Sequence, residues 1–284
     1  MSKEIVTKKI TTSYLQGMKT RGERITMLTA YDATFAKLLE ESGVESILIG
    51  DSLGMVVQGN TNTIPVTVED IIYHTKCVSK VTRRAHIMAD MPFMSYQASI
   101  DQALINAGRC LKEGGAESVK LEGGVELIET VAAMTSSGIP VCAHIGLKPQ
   151  SIHQMGGYKI QGKTSYSAEK LIEEAKGFEE AGAFMLLLEG IVSEVALEIT
   201  KTVSIPTIGI GSGAGCDGQV LVIYDLLGMD KEFNPKFVKK YADLNNIITS
   251  AVKSYINDVK EGEFPSEGQT FHRELQVVKQ VTSK

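Results

Sequence analysis

Five residues able to bind a metal or move a proton each close a short apolar run: Asp51 after Ser46-Ile-Leu-Ile-Gly, Asp90 after His86-Ile-Met-Ala, Glu122 after Ser118-Val-Lys-Leu, His144 after Val141-Cys-Ala, and Glu189 after Ala183-Phe-Met-Leu-Leu-Leu. Runs that are continuously apolar, not alternating, suit strands buried on both faces, as in parallel sheets. In such folds the chemistry collects at the carboxyl ends of the strands. Several carboxylates converging there without a matching set of arginines would repel one another. A hard divalent cation with oxygen ligands relieves that repulsion, and Mg²⁺ takes one or two carboxylates and completes its shell with water and substrate. The competing reading is that Asp51 and Asp90 only cap the helices that follow them.

Such a cation could chelate a small α-keto acid, polarise its carbonyl and acidify the adjacent carbon. The base would be Glu189, because its apolar approach should raise its pKa toward the working range. Lys120 lies two residues before Glu122, on the same side of its strand. It either neutralises the substrate carboxylate or enolate or forms an ion pair with a neighbouring carboxylate. His144 is either a ligand, a partner of the base, or a structural polar contact. The glycines of Gly209-Ile-Gly-Ser-Gly-Ala-Gly215 suit a phosphate-cradling loop or close backbone packing equally well.

The elements that must hold these groups follow in order. Thr12 to Lys19 is expected to form a short leading helix and Arg24 to Ala30 the first strand. Asp32 caps a helix to Ser42, with Phe35, Leu38 and Leu39 on one face and Gly43 at its end. Strand two is Ser46 to Gly50. The Gly54 to Pro65 stretch reads as a long covering loop, and Thr67-Val-Glu-Asp70 as a capping box opening a helix through Val78. Strands three to five are His86 to Met91, Ser118 to Leu121 and Pro140 to His144, with helices at 100–113 and 126–136. Residues 145–164 form an irregular stretch long enough to act as a lid. A helix over 168–181, strand six at Ala183 to Leu188 and a helix over 192–201 come next. Strand seven is Pro206 to Ile210, strand eight Val220 to Tyr224, and an amphipathic helix spans Pro235 to Lys260. The linker 212–219 is too short for an ordinary crossover. Eight strands with intervening helices predict a single-domain (β/α)8 TIM barrel over residues 24–261, with an N-terminal segment 1–23 and a C-terminal arm or tail 262–284.

Composition fits that fold. The 284 residues are 43% hydrophobic and carry a net charge of −5, with no basic stripe of the kind nucleic acids require. No secretory signal or membrane span is evident, so the expected compartment is the cytoplasm. The cysteines, Cys77, Cys110, Cys142 and Cys216, are widely spaced. They read as free thiols in a reducing compartment, with no zinc or redox motif.

Longer matches carry more. Tyr31-Asp-Ala-Thr-Phe-Ala, Gly50-Asp-Ser-Leu-Gly-Met-Val-Val-Gln-Gly, Asp90-Met-Pro-Phe-Met-Ser-Tyr, Val119-Lys-Leu-Glu-Gly-Gly, His144-Ile-Gly-Leu-Lys-Pro-Gln, Gly156-Gly-Tyr-Lys-Ile-Gln-Gly, Pro206-Thr-Ile-Gly-Ile-Gly and Asp217-Gly-Gln-Val-Leu-Val resemble the ketopantoate hydroxymethyltransferase family, in order, across residues 24 to 228. The resemblance implies a Mg²⁺-dependent barrel in which Asp51 and Asp90 bind the metal and Glu122 contributes to its shell. It implies keto-acid contacts from Asp51, Ser52, Asp90 and Lys120, and Glu189 as proton acceptor. The implied reaction carries a hydroxymethyl group from 5,10-methylenetetrahydrofolate to 3-methyl-2-oxobutanoate, giving 2-dehydropantoate and tetrahydrofolate on the way to pantothenate. The implied assembly is a homodecamer. Three positions depart from the family pattern: Lys148, Gly190-Ile-Val after the base, and Ser212 in the glycine loop. The alternative within enzymes is a Mg²⁺-dependent lyase or mutase of phosphoenolpyruvate-type acids. A barrel without activity, serving as a binding or assembly protein, is the reading from another class.

Overall fold

A computed structural model describes residues 8–273 apart from Tyr158, and the side chain of Met155 is also not described. The first seven residues of the expected leading segment and residues 274–284 of the expected arm lie outside the described residues. The first half runs α1 (Thr12–Thr20), β1 (Ile25–Thr29), α2 (Ala33–Ser42), β2 (Ser46–Ile49), α3 (Leu53–Val56), α4 (Val68–Ser79), β3 (His86–Asp90), α5 (Ile100–Arg109) and β4 (Ser118–Glu122). The second half runs α6 (Ile128–Ser136), β5 (Val141–Gly146), α7 (Ile152–Met155), α8 (Ser165–Glu180), β6 (Met185–Glu189), α9 (Ser193–Thr202), β7 (Thr207–Ile210), β8 (Gly218–Leu221), α10 (Ile223–Leu226) and α11 (Leu244–Glu261). The strands close into a barrel in chain order, β8 returning to β1, with every neighbouring pair parallel. The expected (β/α)8 barrel therefore forms.

Strand residues alternate between two cores. One set faces the helices, including Ile47, Ile87, Val119, Ala143 and Leu186. The other fills the barrel interior: Met27, Leu48, Met88, Cys142, Met185, Leu187, Ile208 and Val220. Ile10, Leu15 and Met18 join the interior set, so α1 plugs the bottom of the barrel. Lys19 fastens the plug, donating to the carbonyls of Thr200 and Ile205 at 2.8 and 2.9 Å and pairing with Asp217 at 3.0 Å. Each such apolar side chain contributes about 1.5–3 kcal/mol when fully buried.

The local signals place most helix starts. Asp32 accepts from the backbone N–H groups of Thr34 and Phe35, and Gly43 ends α2 in the left-handed region. Thr67 and Asp70 form the reciprocal capping box of α4, with Ile71, Ile72, Thr75 and Val78 buried. Four expectations fail. Leu38 points outward, 53% exposed, and Ala36 with Leu39 forms the buried face of α2 instead. The stretch after Asp51 opens with a helical turn, α3, because Leu53 is fully buried there. β8 begins at Gly218, not Val220. Its place is set by pairing with Ile25–Leu28, where any Cβ on Gly218 would fall 2.4 Å from the Ile25 carbonyl. Thr29 then takes the Ile223 N–H at 3.1 Å, and the chain turns helical. The last long helix begins at Leu244, not Pro235. The preceding segment is tied to α10 by Tyr241 N–H to the Leu226 carbonyl and Leu244 N–H to the Leu227 carbonyl, and Asp243 supplies the cap.

At the bottom of the barrel His86 is 1% exposed, its Nε2 2.8 Å from Ser118 Oγ. Burial lowers its pKa to about 4, against the opposing pull of Glu117. The folded value lies below the ordinary ~6.5, so the unfolded chain takes up a proton first as pH falls. Stability is thus lost between about pH 6.5 and pH 4, by up to roughly 3 kcal/mol. The melting difference between His86→Gln and the wild type should shift in the variant's favour by roughly 5 °C between pH 7.5 and pH 4.5. A difference that stays constant across that range would show that His86 charges within the folded barrel.

Candidate active site

The barrel register sets the chemistry at one level. Asp90 of β3 pairs with Lys120 of β4, Glu122 with His144 of β5, and Gly146 with Glu189 of β6. Asp51 follows β2 after one residue, Gly50. Asp51, Asp90, Lys120, Glu122 and His144 are all buried, at 6% exposure or less. Glu189 reaches furthest toward the mouth, with 18% of its side chain exposed.

The contacts are dense. Lys120 Nζ lies 2.7 Å from Asp90 Oδ1, and Asp90 Oδ2 accepts the Asp51 N–H at 3.1 Å. His144 stands between two carboxylates: Nδ1 is 3.5 Å from Glu122 Oε2 and Nε2 is 3.4 Å from Glu189 Oε2. Nδ1 is also 3.4 Å from Lys120 Nζ. An ammonium can only donate, so Nδ1 is the acceptor and Nε2 carries the proton that faces Glu189. The ring is neutral: burial and the Lys120 charge hold its pKa well below the ordinary value. Ser52 Oγ is 2.8 Å from the Tyr31 hydroxyl.

The charges do not balance. Four carboxylates surround Lys120, the one buried cation among the described residues. Burial raises Asp90 to about 7 despite Lys120, with Asp51 adding to the rise. Burial likewise raises Glu122 well above the carboxylate range and Glu189 to about 8. For Lys120 burial works the other way, and the attraction of Asp90, Asp51 and Glu122 outweighs it, so its pKa is raised. This donor set fits one hard divalent cation. No group of three or more His, Cys, Asp or Glu side chains among the described residues is gathered into a cage.

Sequence reasoning overlooked two buried residues here, Gln150 and Tyr96, which bond to Asp51 and Glu122. Their segments stand among the family-like motifs, but no residue type or spacing marks them as part of the site. The glycine loop resolves toward packing. A Cβ on Gly209 would meet Cys216 Sγ at 2.9 Å, on Gly213 the Ser193 side chain at 2.7 Å, and on Gly215 Leu197 at 3.0 Å. Gly213, with Gly211, also helps line a groove of about 850 Å³ that contains none of the carboxylates. Of the three departures, Ser212 has a clear role: it donates to the Leu188 carbonyl at 2.7 Å and accepts the Ile191 N–H at 3.1 Å, clamping both sides of Glu189. Lys148 sits 3.7 Å from Glu126. Gly190 takes a φ of +56° and lies against Leu147. The stretch 145–164 carries a 3₁₀ turn, Pro149–Ser151, and α7. Gln161 bridges to Ile191 beyond the base.

A closed parallel barrel with acids, a lysine and a histidine at the carboxyl ends of β2 to β6 is the architecture of a barrel enzyme. Solved structures agree at the level of fold. 2,3-dimethylmalate lyase, described as a member of the PEP mutase/isocitrate lyase superfamily, superposes with a TM-score of 0.59 at 15% identity, covering 94% of this chain and 91% of that one. Phosphonopyruvate hydrolase, solved with oxalate and Mg²⁺, gives a TM-score of 0.59 at 12% identity, covering 88% and 87%.

Sequence narrows this to a family. A family model for ketopantoate hydroxymethyltransferase matches residues 9–267. The 3-methyl-2-oxobutanoate hydroxymethyltransferase of Syntrophus aciditrophicus (strain SB) is 56% identical over 95% of this chain and 100% of that protein. The protein of the same name from Geobacter metallireducens is 55% identical over 90% and 96%, and that from Clostridium novyi 55% over 93% and 96%. The chain belongs to the ketopantoate hydroxymethyltransferase family and is a transferase. Among the described residues no helix is long and apolar enough to cross a membrane.

Proposed function

We propose that this barrel transfers a hydroxymethyl group from 5,10-methylenetetrahydrofolate to C3 of 3-methyl-2-oxobutanoate, giving 2-dehydropantoate and tetrahydrofolate. The observation that carries the reading is the gathering of Glu189, His144, Lys120 and Asp90 at one barrel mouth, each within 3.4 Å of the next. Asp51 and Asp90 would hold Mg²⁺, with Glu122 behind them. When bound, that cation supplies polarisation of the keto group and so acidifies C3.

The chain's own residues do the rest. Glu189 Oε2 takes the C3 proton, and its raised pKa matches that task. His144 Nε2 faces the same oxygen at 3.4 Å, without a formed hydrogen bond. Lys120 Nζ stands where negative charge on the keto acid collects, and the Ser52 hydroxyl adds a hydrogen bond to the acid. The folate's bridging methylene carbon bonds to the enolate carbon and to a water oxygen while both of its carbon–nitrogen bonds, to N5 and to N10, break, and the two nitrogens take up the proton removed from C3 by Glu189 and the proton released by water. The lyase or mutase alternative draws only on fold likeness at 11–15% identity.

A cytoplasmic location and the homodecamer of the family resemblance belong to the same proposal. In support, α11 buries no residue yet presents Ile247, Ile248, Val252, Tyr255 and Ile256 to solvent. Light scattering of the full chain tests the assembly, and a monomer would refute it.

The reaction is tested by solvent deuterium exchange at C3 of 3-methyl-2-oxobutanoate, with Mg²⁺ and then with EDTA, in the absence of folate. Exchange should require the cation. Exchange that survives EDTA would remove the metal from the mechanism. No exchange even with tetrahydrofolate present would remove the substrate.

A further inference from the structure

Gln150 sits on the 3₁₀ turn after β5, outside every strand, at 2% exposure. All of its side-chain hydrogen-bonding capacity is used. Nε2 donates to Asp51 Oδ2 at 2.9 Å and to the Met91 carbonyl at 3.0 Å. Oε1 accepts from the Tyr96 hydroxyl at 2.8 Å and from Gln97 Nε2 at 3.3 Å. The Gln150 backbone N–H donates to Glu122 Oε1 at 2.8 Å. The amide has one workable orientation, because flipping it would set Oε1 against two acceptors. Tyr96 completes the brace. Its hydroxyl shares its proton between Oε1 and the Glu122 carbonyl at 2.9 Å, and accepts the Glu122 N–H at 3.2 Å.

One residue thus ties the ends of β2, β3 and β4 together through Asp51, Met91 and Glu122. Two carboxylates short of positive charge would otherwise turn away from each other. We propose that Gln150, braced by Tyr96, is a positioning residue that fixes the orientations of Asp51 and Glu122 before a divalent cation arrives. It touches neither substrate nor reacting atoms in this role. The inference rests on the reading that Asp51 and Asp90 hold the cation. Partners of this kind, one step behind the ligands, set metal affinity by 10–100-fold. A merely structural role would lower stability and leave cation affinity alone.

The experiment is calorimetric titration of MnCl₂ into EDTA-stripped, full-length protein, with neither keto acid nor folate present, paired with melting curves in EDTA. Gln150→Met, which keeps the length and removes every side-chain hydrogen bond, should weaken the Mn²⁺ Kd by about 10–100-fold. Tyr96→Phe, which keeps the amide and removes its brace, should weaken it by a smaller factor of at least threefold. Turnover of Gln150→Met should recover toward wild type as the cation is raised to saturation, with half-activation shifted by the same factor as Kd. If the wild type binds Mn²⁺ and both variants match it within twofold, the positioning role is overturned and the cation reading stands. Should Gln150→Met fail to fold, Tyr96→Phe alone decides by the same criterion. A wild type that binds no Mn²⁺ overturns the cation reading, and this inference with it.

Discussion

Glu189→Gln should lower turnover by about 10³–10⁴-fold while keto-acid affinity stays within a few fold, because general-base catalysis of this kind contributes up to ~10⁴. The substitution keeps shape and leaves His144 Nε2–H an oxygen to face, at the 3.4 Å seen for the carboxylate. It removes only the group that can accept a proton. Stability should hold or rise, since one of four crowded carboxylates has gone. Burial raises the Glu189 pKa to about 8, with Asp51 and Asp90 adding to the rise and Lys120 opposing it. The base must be ionised to act, so wild-type kcat/KM should climb with pH along a limb above the ordinary carboxylate range. Added positive charge beside Asp51 and Asp90 favours the ionised form, so the limb should move to lower pH as Mg²⁺ is raised. The variant should lose the limb altogether. Turnover within tenfold of wild type, or an acid limb that survives, would remove Glu189 as the base.

What could be read from the chain depended on how far each interaction reaches. The strand runs ending at Asp51, Asp90, Glu122 and Glu189 were legible because a strand buried on both faces needs apolar residues at every position. Asp32 and the Thr67–Asp70 box were legible because a cap bonds within three residues. Leu38 misled because its spacing fits a helix face whose burial depends on the neighbours it meets. The bounds of β8 depend on Gly218 meeting Ile25, a contact made only when the barrel closes. Gln150 escaped for the same reason, as its partners Asp51 and Tyr96 lie 99 and 54 residues away. For Lys120 the two readings were an ion pair or a substrate contact. The structure shows the ion pair with Asp90, and the substrate contact is part of the proposed function.

The proposed second role beside the ion pair makes Lys120→Met the most informative change in stability. Lys120 is 4% exposed and its ammonium is the charge that keeps Asp90 from standing unpaired. Breaking a buried pair by removing one partner costs about 3–5 kcal/mol, or a melting temperature lower by roughly 6–15 °C in EDTA. The cost should depend on pH, and its sign follows from Asp90. Burial raises that carboxyl to about 7 even with Lys120 opposing, and losing the ammonium raises it further. At pH 6 the variant's Asp90 is protonated and the loss is small. At pH 8 the folded state must either hold a bare carboxylate or take up a proton that the unfolded chain does not bind, so the loss is largest. Added Mg²⁺ supplies charge to the same carboxylates and should return much of the melting temperature. It should not return turnover, because the ammonium proposed to face the keto acid is still missing, and kcat/KM should stay about 10²–10³-fold down. A melting temperature in EDTA that is unchanged at both pH values would mean the cluster does not need this charge. Turnover that recovers along with stability would confine Lys120 to the ion pair and leave charge on the keto acid to other groups.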